Sequence, residues 1–365
     1  MSEAALAEMP AMRIRSHRGP YEVRFNTGDV EQLWNDLPAN AHFLIDARVA
    51  ELYRDKIQPV LSTRSVLCLE ATEANKSLNR FPAYVEHLVS NKVRRGDVLI
   101  AVGGGIIQDI TCFLAATLLR GLDWHFYPTT LLAQADSCIG SKSSINSGDA
   151  KNILGTFTPP RSVTISTHFL DTLPERDIRS GIGEMLKVHG IDGPNSFDQI
   201  ARDYLAILTD REVMLHYLRR SLEIKKGYIE RDEFDQGPRL IFNYGHSFGH
   251  AIEAATNFAI PHGIAVTIGV DMANWISVGL GVGSEAHFGR MHPTLRANYR
   301  GFESTPIPLE PFMTALSKDK KNTGSGSVTL ILPNKDAQIS RASYASDAQF
   351  RSLCEEFLTH IRRTS

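Results

Sequence analysis

The stretch GDVLIAVGGGIIQD, residues 96–109, decides the fold of the first half of the chain. In it, an apolar strand pattern leads directly into three glycines, Gly103 to Gly105, and a helical pattern begins after them. Glycine lets a backbone turn sharply and approach a ligand closely, and the free N–H groups of a helix start can bind a pyrophosphate. Because the spacing differs from the usual G-x-G-x-x-G fingerprint, the stretch alone indicates either a nucleotide site or a structural turn.

Short β-branched runs alternate with helical patterns around this stretch. We predict strands in 41–49, ending at Asp46, in 65–71, and within 125–136 and 162–170. This alternation predicts a mainly parallel sheet covered on both faces. Asp46 is placed as a ribose-binding carboxylate would be, but it can equally cap a helix. Helical spacing dominates from about residue 173 onward, so we predict an α/β half followed by a largely α half.

Composition narrows the class of partner. The 365 residues suffice for two domains, and a formal charge of −2 provides no basic field for nucleic acid. No apolar run reaches the length of a membrane span, and the four scattered cysteines form no paired framework, which favours a reducing cytoplasm. We therefore expect a cytoplasmic protein with a small-molecule partner and no contact with membranes.

Two motifs of the second half offer metal ligands. His246 and His250 in NYGHSFGHAIEAA share one helix face if a helix has begun by His246, and His262 follows in IPHGIAV. Glu184 and Lys187, in GIGEMLKVHG, also share a face. Two histidines and one carboxylate make a catalytic zinc set, although spacing alone does not choose the two histidines, and each can be an ordinary packed residue.

Cations flank these motifs. Lys142 and Lys151 bracket the polar loop SKSSINSGDAKN, and Lys225 precedes Arg239 by fourteen residues. Each of them singly can be a solvated surface cation, whereas a sugar phosphate that carries a carboxylate needs several converging cations. Further candidates are Lys76, Arg120 and Lys320.

Five collinear blocks resemble the dehydroquinate synthase family of sugar-phosphate cyclases. They are AVGGGIIQDITCFLAATLLRG, PTTLLAQADSCIGSKSSIN with AKNILGTF, LPERDIRSGIGEMLK, RLIFNYGHSFGHAIE and HGIAV. The resemblance implies a Rossmann-like parallel-sheet domain over 1–173 that binds NAD, and a mainly α-helical domain over 174–365 that binds Zn²⁺ or Co²⁺. It also implies an active site in the cleft between these domains.

The resemblance further implies roles for individual residues. The metal ligands would be Glu184, His246 and His262. The catalytic and substrate contacts would come from Asp136, Lys142, Lys187, Lys225, Arg239, Asn243, His250 and Lys320, and contacts to the substrate phosphate from Arg120 and Asn152. NAD would contact Asp46, Glu73, Lys76, Gly103, Gly104, Gly105, Asp109, Thr129, Thr130 and Lys151. In the family, the arginine matching Arg120 reaches the substrate phosphate of the neighbouring subunit, so a homodimer is implied.

Several activities stay open. Related cyclases act on a heptulosonate phosphate, sedoheptulose 7-phosphate or glucose 6-phosphate. By resemblance, Lys225, Arg239 and Asn243 match the pattern that binds a carboxylate, and an arginine buried without one would be costly, which favours the heptulosonate. Two departures bear on this choice: GSKS at 140–143 replaces the usual GGKT, and Ile264 stands where glutamate is common. The remaining alternatives are an oxidoreductase of the glycerol dehydrogenase type, with net NADH consumption, and a non-catalytic binding protein.

Overall fold

The computed structural model describes residues 9–148, 150–318 and 326–363. It contains two compact units, one formed by Met1–Pro174 with Lys226–Phe234, the other by Glu175–Lys225 with Asp235–Ser365. The division predicted from sequence, into 1–173 and 174–365, does not include the return of residues 226–234 to the first unit. The returning segment packs on the first unit because Glu230 accepts a hydrogen bond from the Arg15 N–H (2.9 Å) and the Phe234 ring meets that of Phe157 (5.0 Å between centroids).

A parallel sheet forms the centre of the first unit. The described residues of this unit form nine strands, which in chain order are β1 (Met12–Ile14), β2 (Tyr21–Asn26), β3 (Ala41–Asp46), β4 (Val66–Leu69), β5 (Val98–Gly103), β6 (Asp123–Pro128), β7 (Lys142–Ser147), β8 (Ala150–Phe157) and β9 (Ser162–Ser166). Seven of them form one sheet in the order β1-β2-β9-β6-β5-β3-β4, in which only β1 and β2 pair antiparallel. The helices of this unit are α1 (Ala47–Leu52), α2 (Gln58–Leu61), α3 (Phe81–Ser90) and α4 (Gly105–Thr117).

The strand order reverses between β3 and β5. The chain passes from β3 to β4 on one side and then to β5 on the other side of β3. In doubly wound sheets, the crevice at the carboxyl ends of strands at such a point is where ligands bind. Both strands are lined by fully buried apolar residues, such as Phe43 and Val102, as expected for a sheet covered on both faces.

The prediction of a polar loop between Lys142 and Lys151 is wrong. This stretch forms the antiparallel hairpin of β7 and β8, with Lys142 opposite Phe157 and Ser143 opposite Thr156. The serines of β7 led to the prediction of a loop, because a buried strand position usually carries an apolar residue. Here the buried Ser143 is satisfied by a 2.8 Å hydrogen bond between its hydroxyl and that of Thr156.

The second unit is mainly helical, as predicted. It contains α5 (Glu175–Asp192), α6 (Pro194–Arg202), α7 (Tyr204–Thr209), most of α8 (Arg211–Ile229), α9 (His246–Ala255), α10 (His262–Gly279), α11 (Glu285–Asn298), α12 (Leu309–Ser317) and α13 (Ala348–Glu356), with a hairpin of β10 (Ser327–Pro333) and β11 (Ile339–Ala345). Among the described residues, no helix has both the length and the apolar character needed to cross a membrane.

Two glycines set the approach of α5 to α10. A Cβ atom on Gly183 would lie 2.3 Å from the Gly263 carbonyl oxygen, and one on Gly263 would lie 1.8 Å from that of Ser180. Only residues without a Cβ permit so close a crossing. The crossing matters for the site because Glu184 follows Gly183 on α5, and His262 precedes Gly263 on α10.

Candidate active site

The glycine turn lies at the carboxyl ends of three neighbouring strands of the first unit. Gly103 ends β5, and its carbonyl accepts a 3.0 Å hydrogen bond from the N–H of Thr129, which follows β6. A Cβ on Gly103 would lie 3.3 Å from the Cβ of Asp46, and one on Gly104 would lie 3.0 Å from Cγ2 of Thr130. The structure thus brings Asp46, the turn and both threonines together.

This turn fits a dinucleotide. The helix α4 begins at Gly105, where the first N–H groups of a helix have no intrahelical partner and can bind a pyrophosphate. Asp46 also caps α1, since its Oδ1 accepts a 2.9 Å hydrogen bond from the Arg48 N–H. Burial raises the pKa of Asp46, against two backbone hydrogen bonds. The cap leaves further acceptor positions on the carboxylate for a ribose hydroxyl.

A second group of predicted residues forms a network around Lys76. The Lys76 ammonium lies 2.9 Å from Oδ1 of Asn152, 3.2 Å from Oδ2 of Asp109 and 3.7 Å from Oε1 of Glu73. Burial raises the pKa of Asp109, while Lys76 and hydrogen bonds from Ser144 oppose the rise. Ser144, whose N–H donates to Asp109 at 3.0 Å, was not a predicted site residue.

Asn146 joins the same network and was also missed. Its amide donates to Oε2 of Glu73 (2.8 Å), and its carbonyl oxygen accepts from the N–H of Asn152 (2.9 Å). Asn152 has a φ of 51°, which asparagine tolerates better than most residues. A pocket of about 540 Å³ opens beside Glu73, Asn146 and Lys151. Recognising β7 as a strand would have indicated Ser144 and Asn146, since alternate residues of a strand share a face and Lys142 was already a predicted site residue.

The start of β7 shows the effect of serine at position 141, where the usual GGKT motif has glycine. The hydroxyl of Ser141 donates a hydrogen bond to Glu233, which also accepts from the N–H of His17 (2.7 Å). A glycine at position 141 could not make this contact. The bond ties the residue preceding Lys142 to the returning segment 226–234, while the Lys142 side chain is exposed.

Two further predicted residues of this unit lie in turns. Asp136 is partly buried in a π-helical turn, Ala133–Ser137. Arg120 is exposed at the end of the 3-10 turn Leu118–Arg120, where Leu119 and Arg120 have left-handed φ angles of 53° and 70°. Such conformations cost about 1–3 kcal/mol each in non-glycine residues and are concentrated at functional sites.

The second unit brings the predicted metal ligands together. Oε1 of Glu184 lies 3.6 Å from Nε2 of His246 and 3.5 Å from Nε2 of His262, and Oε2 is ion-paired with Lys187. Glu184 and Lys187 are each only 2% exposed. Burial alone would raise the pKa of Glu184, but Lys187 and the two imidazoles outweigh it and hold the pKa well below its ordinary value.

Both imidazoles present the nitrogen that a metal would use. Nδ1 of His246 lies 3.4 Å from the carbonyl oxygen of Tyr244, and Nδ1 of His262 lies 3.1 Å from Oε2 of Glu253. A hydrogen bond at Nδ1 leaves Nε2 as the lone-pair donor, which is the usual arrangement of metal-binding histidines. Burial and the charge of Lys187 lower the pKa of His246 well below its ordinary value, which favours the neutral ligand form. These donors fit a zinc-type ion.

His250 lies one turn after His246 on α9, and the two ring centroids are 5.3 Å apart. One nitrogen from each of His246, His250 and His262 lies within 4.8 Å of the others, so three imidazoles could also hold an ion. The choice of two histidines, which the sequence left open, therefore stays a prediction. His250 is the most exposed of the three.

Lys225 and Arg239 are buried in this unit, at 5% and 7% exposure. Arg239 and Asn243 lie in the 3-10 turn Pro238–Asn243, and the ring of Phe242 in that turn lies 5.8 Å from the Lys187 ammonium. Ile264, at the second departure, is fully buried in α10. Lys320 lies outside the described residues.

Glu253 was missed as a site residue, although the sequence contains a signal for it. It follows His246 by seven residues and His250 by three, which is the spacing of one helix face.

Two family models match consecutive parts of the chain. The model described as 3-dehydroquinate synthase N-terminal matches residues 66–180, and the one described as 3-dehydroquinate synthase C-terminal matches residues 181–322. The 3-dehydroquinate synthase of Rhodospirillum rubrum is 37% identical over 300 residues, covering 79% of this chain and 78% of that protein. That of Cereibacter sphaeroides is 33% identical over 364 residues, covering 95% and 98%.

Solved structures show the same architecture. A 2-deoxy-scyllo-inosose synthase complexed with carbaglucose-6-phosphate, NAD⁺ and Co²⁺ has a TM-score of 0.81 at 20% identity, covering 96% of this chain and 99% of that one. A 2-epi-5-epi-valiolone synthase from Streptomyces hygroscopicus with NAD⁺ and Zn²⁺ bound has a TM-score of 0.80 at 24% identity, with the same coverage. At such identities the likeness shows the fold, and it confirms the predicted α/β plus α architecture.

Proposed function

Because the chain belongs to the 3-dehydroquinate synthase family, we propose that it converts 3-deoxy-arabino-heptulosonate 7-phosphate into 3-dehydroquinate and phosphate. The protein is then a phosphate-eliminating carbon–oxygen lyase that uses NAD and Zn²⁺ or Co²⁺. The observation that carries the proposal is the buried Glu184 carboxylate, which faces the Nε2 atoms of His246 and His262 beside Lys187.

Each group of residues has a part in this reaction. When bound, NAD would supply reversible hydride transfer at the carbon that carries a substrate hydroxyl, and the metal would supply a positive charge that polarises substrate oxygens. Gly103 to Gly105 and Asp46 bind the dinucleotide, and Glu184, His246 and His262 hold the metal. The substrate loses phosphate after its ring hydroxyl becomes a ketone, because the ketone acidifies the neighbouring C–H bond. The ring then opens and closes again as a carbocycle.

The cations of the second unit suit an anionic sugar. Lys225 and Arg239 are buried, and both can donate charge-assisted hydrogen bonds to a carboxylate on the substrate. Lys187 keeps Glu184 ionised through the ion pair with its Oε2 atom. The exposed imidazole of His250 is suited to exchange protons with the substrate.

A related cyclase acting on another sugar phosphate is the second candidate. The observation that favours it is the hydrogen bond from Ser141 to Glu233, because this contact fixes the backbone beside Lys142, a predicted substrate contact. A sugar without a carboxylate, such as sedoheptulose 7-phosphate or glucose 6-phosphate, would then be the substrate.

Phosphate release separates these two candidates. The purified protein, with NAD and Zn²⁺ or Co²⁺, is offered the heptulosonate phosphate, sedoheptulose 7-phosphate and glucose 6-phosphate in parallel. We expect release from the heptulosonate alone, with dehydroquinate formed. Release of phosphate from another sugar phosphate would show that this sugar is the substrate and that the protein is still a cyclase. The Arg239→Ala variant should then retain that activity.

We further propose a homodimer in which Arg120 reaches the substrate phosphate bound to the neighbouring subunit. The support is the exposure of Arg120 and the two consecutive left-handed residues, Leu119 and Arg120, that hold it at the end of its turn.

A further inference from the structure

Glu253 and His262 are in hydrogen-bond contact beside the candidate metal centre. Oε2 of Glu253 lies 3.1 Å from Nδ1 of His262, on the opposite side of the ring from Nε2, which faces Glu184 at 3.5 Å. Glu253 is on α9 and His262 is the first residue of α10, so the contact joins the two helices that supply the histidines.

The His262 ring differs from the His246 ring in its exposure and in the acceptor at Nδ1. Its side chain is 36% exposed, compared with 14% for His246, and it follows Pro261 at a helix start. The Nδ1 of His246 faces a main-chain carbonyl, that of Tyr244, which no side-chain substitution removes. A side chain provides the equivalent acceptor for His262, so a single substitution can remove it.

We propose that Glu253 is a positioning residue of the metal centre: it accepts the Nδ1 proton of His262 and so presents Nε2 to the metal. The inference rests on the proposed metal centre and adds to it a residue that touches neither substrate nor metal. A carboxylate at this place fixes the tautomer, restrains the ring and makes the donor nitrogen more basic. The side chain of Glu253 is only 12% exposed, so solvent screens its charge weakly.

The test measures metal affinity rather than turnover. Apo protein is titrated with Zn²⁺ against a chromogenic chelator, and the Co²⁺ form is examined by its visible absorption spectrum. Glu253→Ala should weaken Zn²⁺ binding about 10–100-fold and alter the Co²⁺ spectrum. Glu253→Gln should lie between Glu253→Ala and the wild type, because the amide oxygen still accepts the Nδ1 proton but carries no charge.

The matched control is Glu285→Gln, at an exposed acid in the first turn of α11. It should bind Zn²⁺ as the wild type does. Thermal unfolding of each apo variant shows that the protein remains folded, so that a lost affinity reports on the site.

Three outcomes decide the inference. If Glu253→Ala binds Zn²⁺ like the wild type while His246→Ala does not, the metal centre stands and the inference is wrong. If Glu253→Ala abolishes binding while Glu184→Ala retains it, Glu253 is itself a ligand and the inference is again wrong. If wild-type protein and the His246→Ala and His262→Ala variants all bind alike, the proposed metal centre itself has failed.

Discussion

At the residue scale, a carboxylate as buried as Glu184 needs compensating charge. An isolated charge in an apolar interior is so costly that the group takes up a proton instead. Lys187 supplies one positive charge beside Oε2. A divalent ion held by Oε1 and the two Nε2 atoms near it would supply further positive charge. The arrangement therefore keeps the Glu184 carboxylate ionised although its side chain is buried.

The histidine ligands can be assigned by substitution. His246→Ala should lose the metal and nearly all activity, because it removes a donor whose Nε2 faces Glu184. His250→Ala should keep the metal and lose turnover, because that exposed imidazole acts on substrate protons. Metal content is measured after dialysis. Equal loss of metal in both variants would show that three imidazoles bind the ion.

A hydrogen-bonded cluster around His42 stabilises the first unit. Nδ1 of His42 lies 2.7 Å from Oγ of Ser65, and its Nε2 lies 3.1 Å from Oδ2 of Asp97. These residues lie at the amino ends of β3, β4 and β5, the opposite edge of the sheet from the glycine turn. The order of groups resembles a serine-hydrolase triad, but Ser65 is only 1% exposed and no substrate could reach it. The cluster is therefore structural.

Asp97 should make stability depend on pH. Burial alone would raise its pKa, but hydrogen bonds from the Arg94 N–H and from His42 bring the pKa below its ordinary value. A depressed pKa stabilises the fold above the unfolded-state pKa of about 3.9, and this contribution is lost as pH falls through the folded-state value. Asp97→Asn should cost about 1–3 kcal/mol at neutral pH.

Thermal unfolding between neutral pH and about pH 3 measures this dependence. The gap in melting temperature between wild type and Asp97→Asn should narrow as the pH falls below about 4. Substitution of the exposed Asp36 by asparagine is the control and should leave no such gap. A gap for Asp97→Asn that stays constant with pH would contradict the account.

At the element scale, the crossing of α5 and α10 places the metal donors. Because both helices carry glycine at the contact, their backbones approach closely enough for Glu184 to meet His262. Helical spacing predicted both helices, and nothing in that spacing indicated which glycines face each other. The same limit applied to β7 and β8, where serines occupied buried strand positions and a loop was predicted. No strand was predicted for β1 or β2.

Gly183→Ala should destabilise the second unit by about 1–3 kcal/mol, because its Cβ would lie 2.3 Å from backbone oxygen that cannot move cheaply. Gly289→Ala is the matched control on α11, where an added Cβ meets nothing within 4 Å. It should stabilise by about 0.5–1 kcal/mol through helix propensity. Denaturant unfolding measures both variants. Stabilisation by Gly183→Ala would show that the crossing is looser than described.

At the scale of the whole molecule, much of the account could be predicted from sequence. The collinear motifs predicted the family and the fold, and the comparisons confirm both. What sequence could not provide is which groups meet: the Lys76 network, the bond between Ser141 and Glu233, and the Glu253–His262 pair join residues far apart in the chain or on separate elements. Such contacts depend on tertiary packing, which local patterns do not contain.

The proposed homodimer predicts complementation between two inactive variants. Arg120→Ala and His246→Ala are each expected to be inactive alone. In a hybrid dimer, the Arg120→Ala subunit keeps its metal site and receives Arg120 from its partner, so one of the two sites is complete and the co-purified hybrid should have about half of wild-type activity. Activity of the co-purified hybrid, with each variant alone as the control, measures this. No recovery in a verified hybrid dimer would place Arg120 within its own subunit's site or outside the reaction.

The central claim is that the protein eliminates phosphate while it uses NAD catalytically. The most direct measurement follows NADH absorbance and phosphate release together, with the heptulosonate phosphate as substrate and NAD and Zn²⁺ present. We predict many turnovers of phosphate per protein molecule with no net accumulation of NADH. Accumulation of NADH in step with substrate consumption, without phosphate, would instead show an oxidoreductase of the glycerol dehydrogenase type and contradict the account.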